Sequence, residues 1–238
     1  MITKDFLQYT QSYGIKLQEE QGQKLLDFMN AILEKNKVLN LTAIKEVDEF
    51  VDKHLVDSLM CDLSNYPTAS RFIDIGTGGG FPGIPLAIAY PDHHFTLLDS
   101  TAKKIQALDV ICQELDITNV DFLVGRAEDY GNDGEYRESF DGVLSRGVAN
   151  YTILLELCLP FARKNGIFYS WKAKKVEEEI QGAKSALGTL KSKILDKQEY
   201  FLLNSQEKHV IISVKKLERM DKKYPRAYNQ IKAKPLGL

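Results

Sequence analysis

The sequence is poor in cysteine and has no long apolar segment, and both shortages exclude classes of protein. Its three cysteines, Cys61, Cys112 and Cys158, are scattered and have neither Cys-x-x-Cys nor His-paired spacing, which disfavours a disulfide framework and a zinc site. No apolar run approaches the roughly 18 residues of a membrane span. The N-terminus, MITKDFLQYT, lacks the basic and apolar regions of a secretory signal. We therefore expect a cytoplasmic protein with buried thiols, no metal and no membrane contact.

The sequence does contain enough apolar material for one α/β domain with a modest appendage, since 44% of its 238 residues are hydrophobic. Its charge is unevenly spread. The basic tail, residues 215–238, has eight basic and two acidic residues, so the net charge of −2 divides into +6 for the tail and −8 for the rest. A basic end on an acidic body is typical of a nucleic-acid-binding surface. Charged tails are also often only solvated, so both interpretations stay open.

The apolar pattern predicts helices first and a parallel sheet next. In the first 60 residues apolar side chains recur at helical spacing, so we expect a helical cap over residues 1–64. Short β-branched runs then alternate with helical stretches, which is typical of βαβ units. The expected strands are Arg71–Ile75, Phe95–Leu98, Val120–Val124, Gly142–Leu144 and Gly166–Ser170. The expected helices are Ile84–Tyr90, Ala102–Leu115, Tyr151–Arg163 and Val176–Leu190.

Two strand patterns in succession, Ile194–Leu203 and His209–Val214, come after the last helix and are close enough to pair as an antiparallel hairpin. A parallel α/β sheet that ends in such a hairpin resembles the Rossmann-like, seven-stranded class I fold of S-adenosylmethionine-dependent methyltransferases. We expect this core over residues 65–214, with the basic tail packed on or near it.

A glycine-rich loop comes directly after the first predicted strand. Gly76, Gly78, Gly80 and Gly83 would let the backbone turn sharply and let a ligand lie against it, at the carboxyl end of the strands. From Gly78 the spacing also satisfies G-x-G-x-x-G, the dinucleotide fingerprint, so nicotinamide cofactors compete with S-adenosylmethionine.

Acidic residues favour S-adenosylmethionine. Asp74, two residues before Gly76, could face the ammonium of the methionine moiety but would repel a pyrophosphate. Asp99 closes the second strand, and its carboxylate could accept hydrogen bonds from both ribose hydroxyls. Ala127 and Glu128 come after the third strand, at the height of an adenine ring. The alternative is that the glycines are only turns and Asp99 only a helix cap.

The turn after the fourth strand limits which atom of a substrate could accept the methyl group. No cysteine lies there to attack cytosine C5, and the turn Ser145–Val148 is not the Asn/Asp-Pro-Pro-aromatic turn commonly used for exocyclic amines. A neutral ring nitrogen such as guanine N7 needs only orientation and desolvation, because it has a free lone pair. Arg146 or Lys172 could donate to guanine O6 or to phosphate, and either could equally be an ordinary salt-bridge partner.

With these residues in view, the chain resembles the RsmG (GidB) family of bacterial methyltransferases, which modify guanine N7 in a loop of 16S ribosomal RNA. The resemblance spans nearly the whole length and is carried by Asn40–Ile44, His54–Leu59, Asp74–Leu86, Leu98–Ser100, Arg126–Glu128 and Lys223–Arg226. Departures from the family pattern stand at Lys104, Gly147, Ala173 and Asn229.

The resemblance implies small-subunit ribosomal RNA as the partner, free or within an assembling ribonucleoprotein, and no obligate protein partner is evident. It implies cofactor contacts at Gly76, Phe81, Ala127, Glu128 and Arg146. It implies RNA contacts at Lys172, Lys223, Tyr224 and Arg226, although Tyr224 beside Pro225 could equally dock the tail on the sheet.

The reaction requires no acid or base, so Arg146, Asn40 and His54 are candidates for positioning only. His54 stands beside Asp57 on one helical turn and is either a packed, hydrogen-bonded residue that holds the cap on the site or a ligand contact. Asn40 either ends a helix or lines the methyl pocket. Competing functions are a small-molecule methyltransferase, which leaves the tail unexplained, a nicotinamide oxidoreductase, which Asp74 opposes, and a non-catalytic RNA-binding module, which explains the tail alone.

Overall fold

A single mixed sheet organises the chain. The computed structural model describes residues 1–147, 150–172 and 176–237. The strands are β1 (Arg71–Ile75), β2 (His94–Asp99), β3 (Val120–Val124), β4 (Phe140–Arg146), β5 (Ala162–Lys172), β6 (Ser192–Phe201) and β7 (Lys208–Lys216). Their order is β3-β2-β1-β4-β5-β7-β6, with the first five parallel and β7 antiparallel to both its neighbours. The predicted class I α/β fold with its C-terminal hairpin is confirmed.

The strand order fixes where a ligand can bind. The chain moves outward from β1 through β2 to β3, then returns to place β4 on the other side of β1. Such a reversal opens a crevice at the carboxyl ends of the central strands, which is where doubly wound sheets bind ligands. The crevice here lies between the loops after β1, β2 and β4.

Helices cover both faces of the sheet. They are α1 (Thr3–Gln11), α2 (Glu19–Leu39), α3 (Val47–Phe50), α4 (Asp57–Leu59), α5 (Gly83–Ala89), α6 (Ala102–Glu114), α7 (Ala127–Tyr130), α8 (Tyr151–Cys158), α9 (Val176–Thr189) and α10 (Tyr228–Ala233), with a π-helical turn, Val51–Val56, between α3 and α4. None of the described helices is long and apolar enough to cross a membrane.

One predicted helix was too long. The expected helix Tyr151–Arg163 ends at Cys158, and β5 already begins at Ala162, which pairs with Phe140 of β4. Pro160 explains the difference, because proline has no backbone N–H with which to continue the helical hydrogen bonds.

The N-terminal helices share an apolar core with one face of the sheet. Leu25, Phe28 and Ile32 of α2 are fully buried in the same cluster as Phe72 of β1 and Ile111 of α6. The other face packs against α8 and α9, and the basic tail joins that second cluster through Tyr224 and Ile231. The helical cap and the tail are thus fastened to opposite faces of the sheet.

Candidate active site

A cavity of about 560 Å³ opens at the carboxyl edge of the sheet, over the crevice between β1, β2 and β4. Ligand pockets commonly have volumes of roughly 300–1,000 Å³. Residues from the sheet, the cap and the tail all contribute to its wall. They include Leu41, Thr42, Ala43, His54, Gly76, Thr77, Gly78, Gly79, Phe81, Leu98, Asp99, Lys104, Gly125, Arg126, Ala127, Glu128, Arg146, Leu157 and Tyr228.

The glycine loop forms the floor of this cavity, and its glycines are needed for different reasons. Gly76, Gly78 and Gly80 have φ angles of 72°, 58° and 91°, a region that residues with a Cβ rarely adopt. A Cβ on Gly78 would meet nothing closer than the Gly76 carbonyl oxygen at 3.9 Å, so its side faces open space. A Cβ on Gly80 would lie 2.7 Å from Cδ1 of Ile84, so Gly80 lets the loop pack on α5. Gly78 therefore lines the cavity and Gly80 does not.

Asp74 lies beneath the loop and is fully buried. Its Oδ2 accepts hydrogen bonds from the Thr77 hydroxyl at 2.7 Å and the Gly83 amide at 2.9 Å. Its Oδ1 is buried and has no partner among the described residues. Burial raises the pKa of Asp74 to about 6, against the lowering effect of those two hydrogen bonds. The carboxylate thus shapes the loop from below, with one acceptor atom left unused.

Asp99 holds the loop from the side and reaches the cavity wall. Its Oδ2 accepts the Gly78 amide at 3.0 Å, and its Oδ1 accepts the Thr101 amide at 2.8 Å. Each oxygen of an ionised carboxylate has a second lone pair. Because one acceptor position on each oxygen is used by the backbone, the other can serve a ligand with two adjacent hydroxyls.

The segment after β3 forms the far end of the cavity. Ala127 and Glu128 lie in the first turn of α7, where backbone N–H groups precede the first intrahelical bond. The Glu128 carboxylate accepts a hydrogen bond from Arg126 Nε at 3.3 Å. The Arg126 guanidinium lies 4.9 Å from the ring centroid of Tyr228, which the sequence did not suggest as a site residue.

Arg146, His54 and Phe81 form the wall opposite. Arg146 Nη2 lies 2.9 Å from His54 Nδ1, and His54 Nε2 lies 2.6 Å from the Thr42 hydroxyl. The imidazole stacks on Phe81 at 4.2 Å between centroids. Burial, and then the positive charge of Arg146, lowers the pKa of His54 to about 3. His54 is therefore neutral near pH 7, accepting from Arg146 at Nδ1 and donating to Thr42 at Nε2.

Sequence reasoning paired His54 with Asp57, but Asp57 is the centre of a separate buried cluster. Its Oδ2 accepts from Arg146 Nη1 at 2.7 Å, while its Oδ1 accepts from the Tyr200 hydroxyl at 2.6 Å and His209 Nδ1 at 2.7 Å. Trp171 Nε1 donates to the Asp57 carbonyl at 2.8 Å. We call Asp57, Arg146, Tyr200 and His209 the Asp57 cluster. It joins the cap to β4, β6 and β7 directly behind the cavity.

Asp57 and His209 each stabilise the charged form of the other. Burial alone would raise the pKa of Asp57, but the His209 hydrogen bond and the Arg146 charge outweigh it and lower that pKa. Burial alone would lower the pKa of His209, but the hydrogen bond and charge of Asp57 raise it above 6.5. Arg146 is thus held by a carboxylate that stays charged at neutral pH.

Asn40 lies just outside the cavity wall, which its neighbours Leu41, Thr42 and Ala43 form. It ends α2 in a left-handed conformation with φ of 49°, a geometry that asparagine tolerates better than most residues. Thr42, which sequence reasoning left without a role, supplies the hydroxyl at that wall. The signal for it was its place in Asn40–Ile44, two residues after a helix end.

All four residues suggested for RNA contact have partners within the protein, and three of them are mostly shielded from solvent. Lys172 pairs with Glu179 at 2.7 Å, with only 11% of its side chain exposed. Tyr224 is buried in the apolar core, so it does not offer a ring to an RNA base. Arg226 grips the fully buried Glu156, with Nε and Nη2 at 2.8 and 2.6 Å from its two carboxylate oxygens. Lys223 pairs with Asp221 at 3.4 Å, but its side chain remains 63% exposed.

Tyr224 and Arg226 contact the protein itself because the tail packs on the sheet rather than projecting from it. Lys216 is also fully buried and pairs with Glu138 at 2.8 Å. The exposed cations of the tail are Arg219, Lys222, Lys223, Lys232 and Lys234. Ala173, where the sequence departs from the family pattern, and the neighbouring Lys174 and Lys175 lie outside the described residues.

Known proteins resemble this chain in sequence and in fold. Residues 21–220 match the model of the GidB family, described as rRNA small subunit methyltransferase G. Ribosomal RNA small subunit methyltransferase G of Alkaliphilus metalliredigens (strain QYMF) is 38% identical over 237 residues, covering 99% of this chain and 98% of the relative. A relative of the same name from Clostridium botulinum (strain Kyoto / Type A2) is 40% identical over 224 residues, covering 94% of each chain.

Solved structures share the fold at low identity. M. jannaschii TYW2 in complex with AdoMet gives a TM-score of 0.55 at 16% identity, covering 74% of this chain and 80% of that one. A variant of the 16S rRNA (adenine(1408)-N(1))-methyltransferase from Catenulisporales acidiphilia gives 0.54 at 13%, covering 65% and 88%. The near full-length sequence matches carry the family assignment: this chain belongs to the GidB family of rRNA small subunit methyltransferase G proteins.

Proposed function

We propose that this protein transfers a methyl group from S-adenosylmethionine to N7 of a guanine in small-subunit ribosomal RNA, and therefore works in the cytoplasm. The observation that carries the cofactor assignment is Asp99. Each oxygen of this carboxylate is fixed by one backbone amide and keeps an acceptor position at the cavity wall. A ribose with two free hydroxyls fits that pair of acceptors.

The rest of the cavity suits the same cofactor. Open space over Gly78 provides a cradle that a Cβ would fill. Beneath it, Asp74 Oδ1 is a buried acceptor without a partner among the described residues, and such an atom attracts a nearby ammonium group. When bound, the cofactor supplies a sulfonium methyl group that is open to in-line displacement. We propose that Gly76, Gly78, Phe81, Ala127 and Glu128 bind the rest of it, as family analogy implies.

A dinucleotide fits less well. Dinucleotide sites place the pyrophosphate on free N–H groups at the N-terminus of the helix after the glycine loop. Here α5 begins at Gly83, and the Gly83 amide already donates to Asp74 Oδ2 at 2.9 Å. The helix end is thus occupied by a carboxylate of the protein's own chain, which would also repel the pyrophosphate.

The residues around the acceptor support a reaction without covalent or acid–base catalysis. Cys158, the cysteine next along the chain from β4, is fully buried, and burial raises the pKa of its thiol well above the usual value, so it is not a thiolate nucleophile. Ser145 is committed to the Ile75 carbonyl at 2.8 Å. Arg146 uses three of its five N–H donors on Lys53, Asp57 and His54. We propose that the guanidinium, fixed this way, orients the guanine or the cofactor.

We expect Asp99→Ala to weaken S-adenosylmethionine binding by about 2 kcal/mol, roughly 30-fold in Kd, because charge-assisted hydrogen bonds to the ribose are lost. Isothermal titration calorimetry would measure the change. Asp99→Asn is the matched control, since it keeps one acceptor oxygen and should lose less. An unchanged Kd in Asp99→Ala would remove Asp99 from the cofactor site, and a wild-type protein that binds NAD instead would refute the proposed function.

The assignment of ribosomal RNA as the methyl acceptor can be tested in cells. Small-subunit ribosomal RNA from a strain that lacks the gene should miss one 7-methylguanosine that the parent contains, and the wild-type gene should restore it. An identical 7-methylguanosine map in the two strains would contradict the assignment of ribosomal RNA as substrate.

For RNA binding we propose the exposed cations of the tail in place of the residues that are buried or half-buried. We expect that changing Lys222 and Lys223 together to alanine makes the negative slope of log affinity against log salt shallower by about one to two units, because fewer counterions are released. RNA titrations at several salt concentrations would measure this slope. Lys4 and Lys184, exposed on α1 and α9, provide a double-alanine control of equal charge change. A wild-type slope in the tail variant would place the RNA surface elsewhere.

A further inference from the structure

One side chain in the wall of the main cavity comes from outside the residues that match the family model. Tyr228 is the first residue of α10, whereas the family model covers residues 21–220. Tyr228 lines the main cavity together with Arg126, Ala127 and Glu128. It also lines an adjoining recess of about 370 Å³ between α7 and the start of α10. Tyr228, together with Arg126 and Glu128, thus lies between the cavity and this recess.

The surrounding contacts hold Tyr228 in place. Ile231, one helical turn further along α10, is fully buried. Before the helix, Arg226 is bonded to the buried Glu156 of α8, and Asn132 Nδ2 donates to the Pro225 carbonyl at 3.0 Å. On the ring itself, the Arg126 guanidinium lies 4.9 Å from the centroid. Because the residues before and after Tyr228 are held in place, its ring loses little conformational freedom when a ligand packs against it.

The position of Asp99 determines which part of the ligand reaches this ring. From Asp99 at the end of β2, the wall continues through Gly125 and Ala127, after β3, to Tyr228. A ribose held at Asp99 directs its purine along that wall. Apolar surface there comes from Ala127, Leu157 and Tyr228, and flat aromatic rings are stabilised by packing against such surface.

We propose that Tyr228 forms the adenine end of the S-adenosylmethionine site, so that the basic tail contributes a cofactor contact as well as exposed charge. This inference rests on the proposed cofactor. An unpaired RNA base is the competing occupant, but such a base stacks on an open aromatic face. Here the Arg126 guanidinium covers one face of the ring, and the ring lies in the wall of the cavity that contains Asp99. The observations therefore favour adenine.

Calorimetry with S-adenosylhomocysteine tests the proposal without turnover. Tyr228→Ala should raise its Kd roughly three- to tenfold, the range of one aromatic packing contact, while Tyr228→Phe stays within about twofold because the ring is kept. Lys232→Ala, exposed on the same helix, is the matched control. 5′-Methylthioadenosine, which keeps the adenosine part and lacks the amino acid, should show the same Kd ratio. Tyr228→Leu serves as a second variant should Tyr228→Ala fail to fold.

The outcomes separate the two proposals. If the wild type binds neither compound, the proposed cofactor is wrong and this inference falls with it. If the wild type binds and Tyr228→Ala and Tyr228→Leu bind equally well, the inference is overturned while the proposed function stands. Unchanged cofactor affinity together with weaker RNA binding would assign the ring to an RNA base and would also overturn it.

Discussion

Replacing Asp57 by alanine should lower the free energy of unfolding by about 4 kcal/mol, and the melting temperature by roughly 10 °C. The substitution leaves Arg146 and His209, whose side chains are 16% and 14% exposed, beside a space where their carboxylate stood. Removing one partner of a buried ion pair commonly costs about 3–5 kcal/mol, because the remaining charge is uncompensated. The carboxylate is 2% exposed and accepts three side-chain hydrogen bonds at 2.6–2.7 Å. Denaturant unfolding followed by circular dichroism would measure the loss.

The effect should depend on pH in a defined direction. The pKa of Asp57 is lowered from 3.8, so its contribution is present above that value and is lost as pH falls through the folded-state pKa. The pKa of His209 is raised from 6.5, so its contribution is present below that value and is lost as pH rises through the folded-state pKa. The stability difference between wild type and Asp57→Ala should therefore be largest between about pH 4 and 6.5.

Two comparisons isolate the Asp57 cluster from general effects. Glu199→Ala, on β6, removes a carboxylate from an exposed pair with Lys208 and should change the melting temperature little. Tyr200→Phe removes one hydrogen bond to Asp57, and a double-mutant cycle with Asp57→Ala should give a coupling energy of about 1 kcal/mol or more. Additive effects of the two substitutions, or a wild-type unfolding free energy in Asp57→Ala, would show that the cluster does not hold the cap.

Local patterns were enough to predict the sheet and the edge at which the main cavity opens. The strands β1 and β3 have the predicted bounds, because each is a short run rich in apolar and β-branched residues between turn signals. The strand β5 was predicted as Gly166–Ser170 but extends over Ala162–Lys172. Its extra residues include the exposed Arg163 and Lys164, which lie where the pairing with β4 shifts register between Ala162 and Ile167. An exposed, irregular stretch within a strand therefore interrupts the apolar pattern from which the bounds of the strand are predicted.

Side-chain contacts between residues far apart in the sequence could not be predicted from local patterns. Asp57 was compared only with His54, its neighbour on one turn, whereas its side-chain partners Arg146, Tyr200 and His209 lie 89 to 152 positions away. A signal did exist for the tail. Glu156 interrupts the apolar helix Tyr151–Cys158, and a carboxylate inside an apolar helix requires a buried partner. That partner is Arg226, for which the family resemblance implied an RNA contact.

Replacing Arg226 by alanine should therefore destabilise the fold rather than act on RNA first. We expect a loss of roughly 3 kcal/mol in unfolding free energy, because Glu156 is fully buried and, among the residues that the structure describes, would keep only the backbone amide of residue 226 at 3.0 Å. The same substitution also releases the Lys234 carbonyl at 3.0 Å, which loosens α10. Thermal unfolding would measure the loss, and Lys223→Ala, three residues earlier and 63% exposed, should leave the melting temperature nearly unchanged.

A charge-matched rescue tests the cause. Glu156→Leu combined with Arg226→Leu removes both charges at once, so no uncompensated ion stays in the core, and replacing a buried pair by apolar residues is often neutral. The double variant should recover most of the stability that Arg226→Ala loses. If Arg226→Ala instead melts like the wild type and shows weaker RNA binding with a flatter salt slope, the guanidinium contacts phosphate, and the other tail contacts, among them those of Tyr224 and Ile231, hold the tail on the sheet.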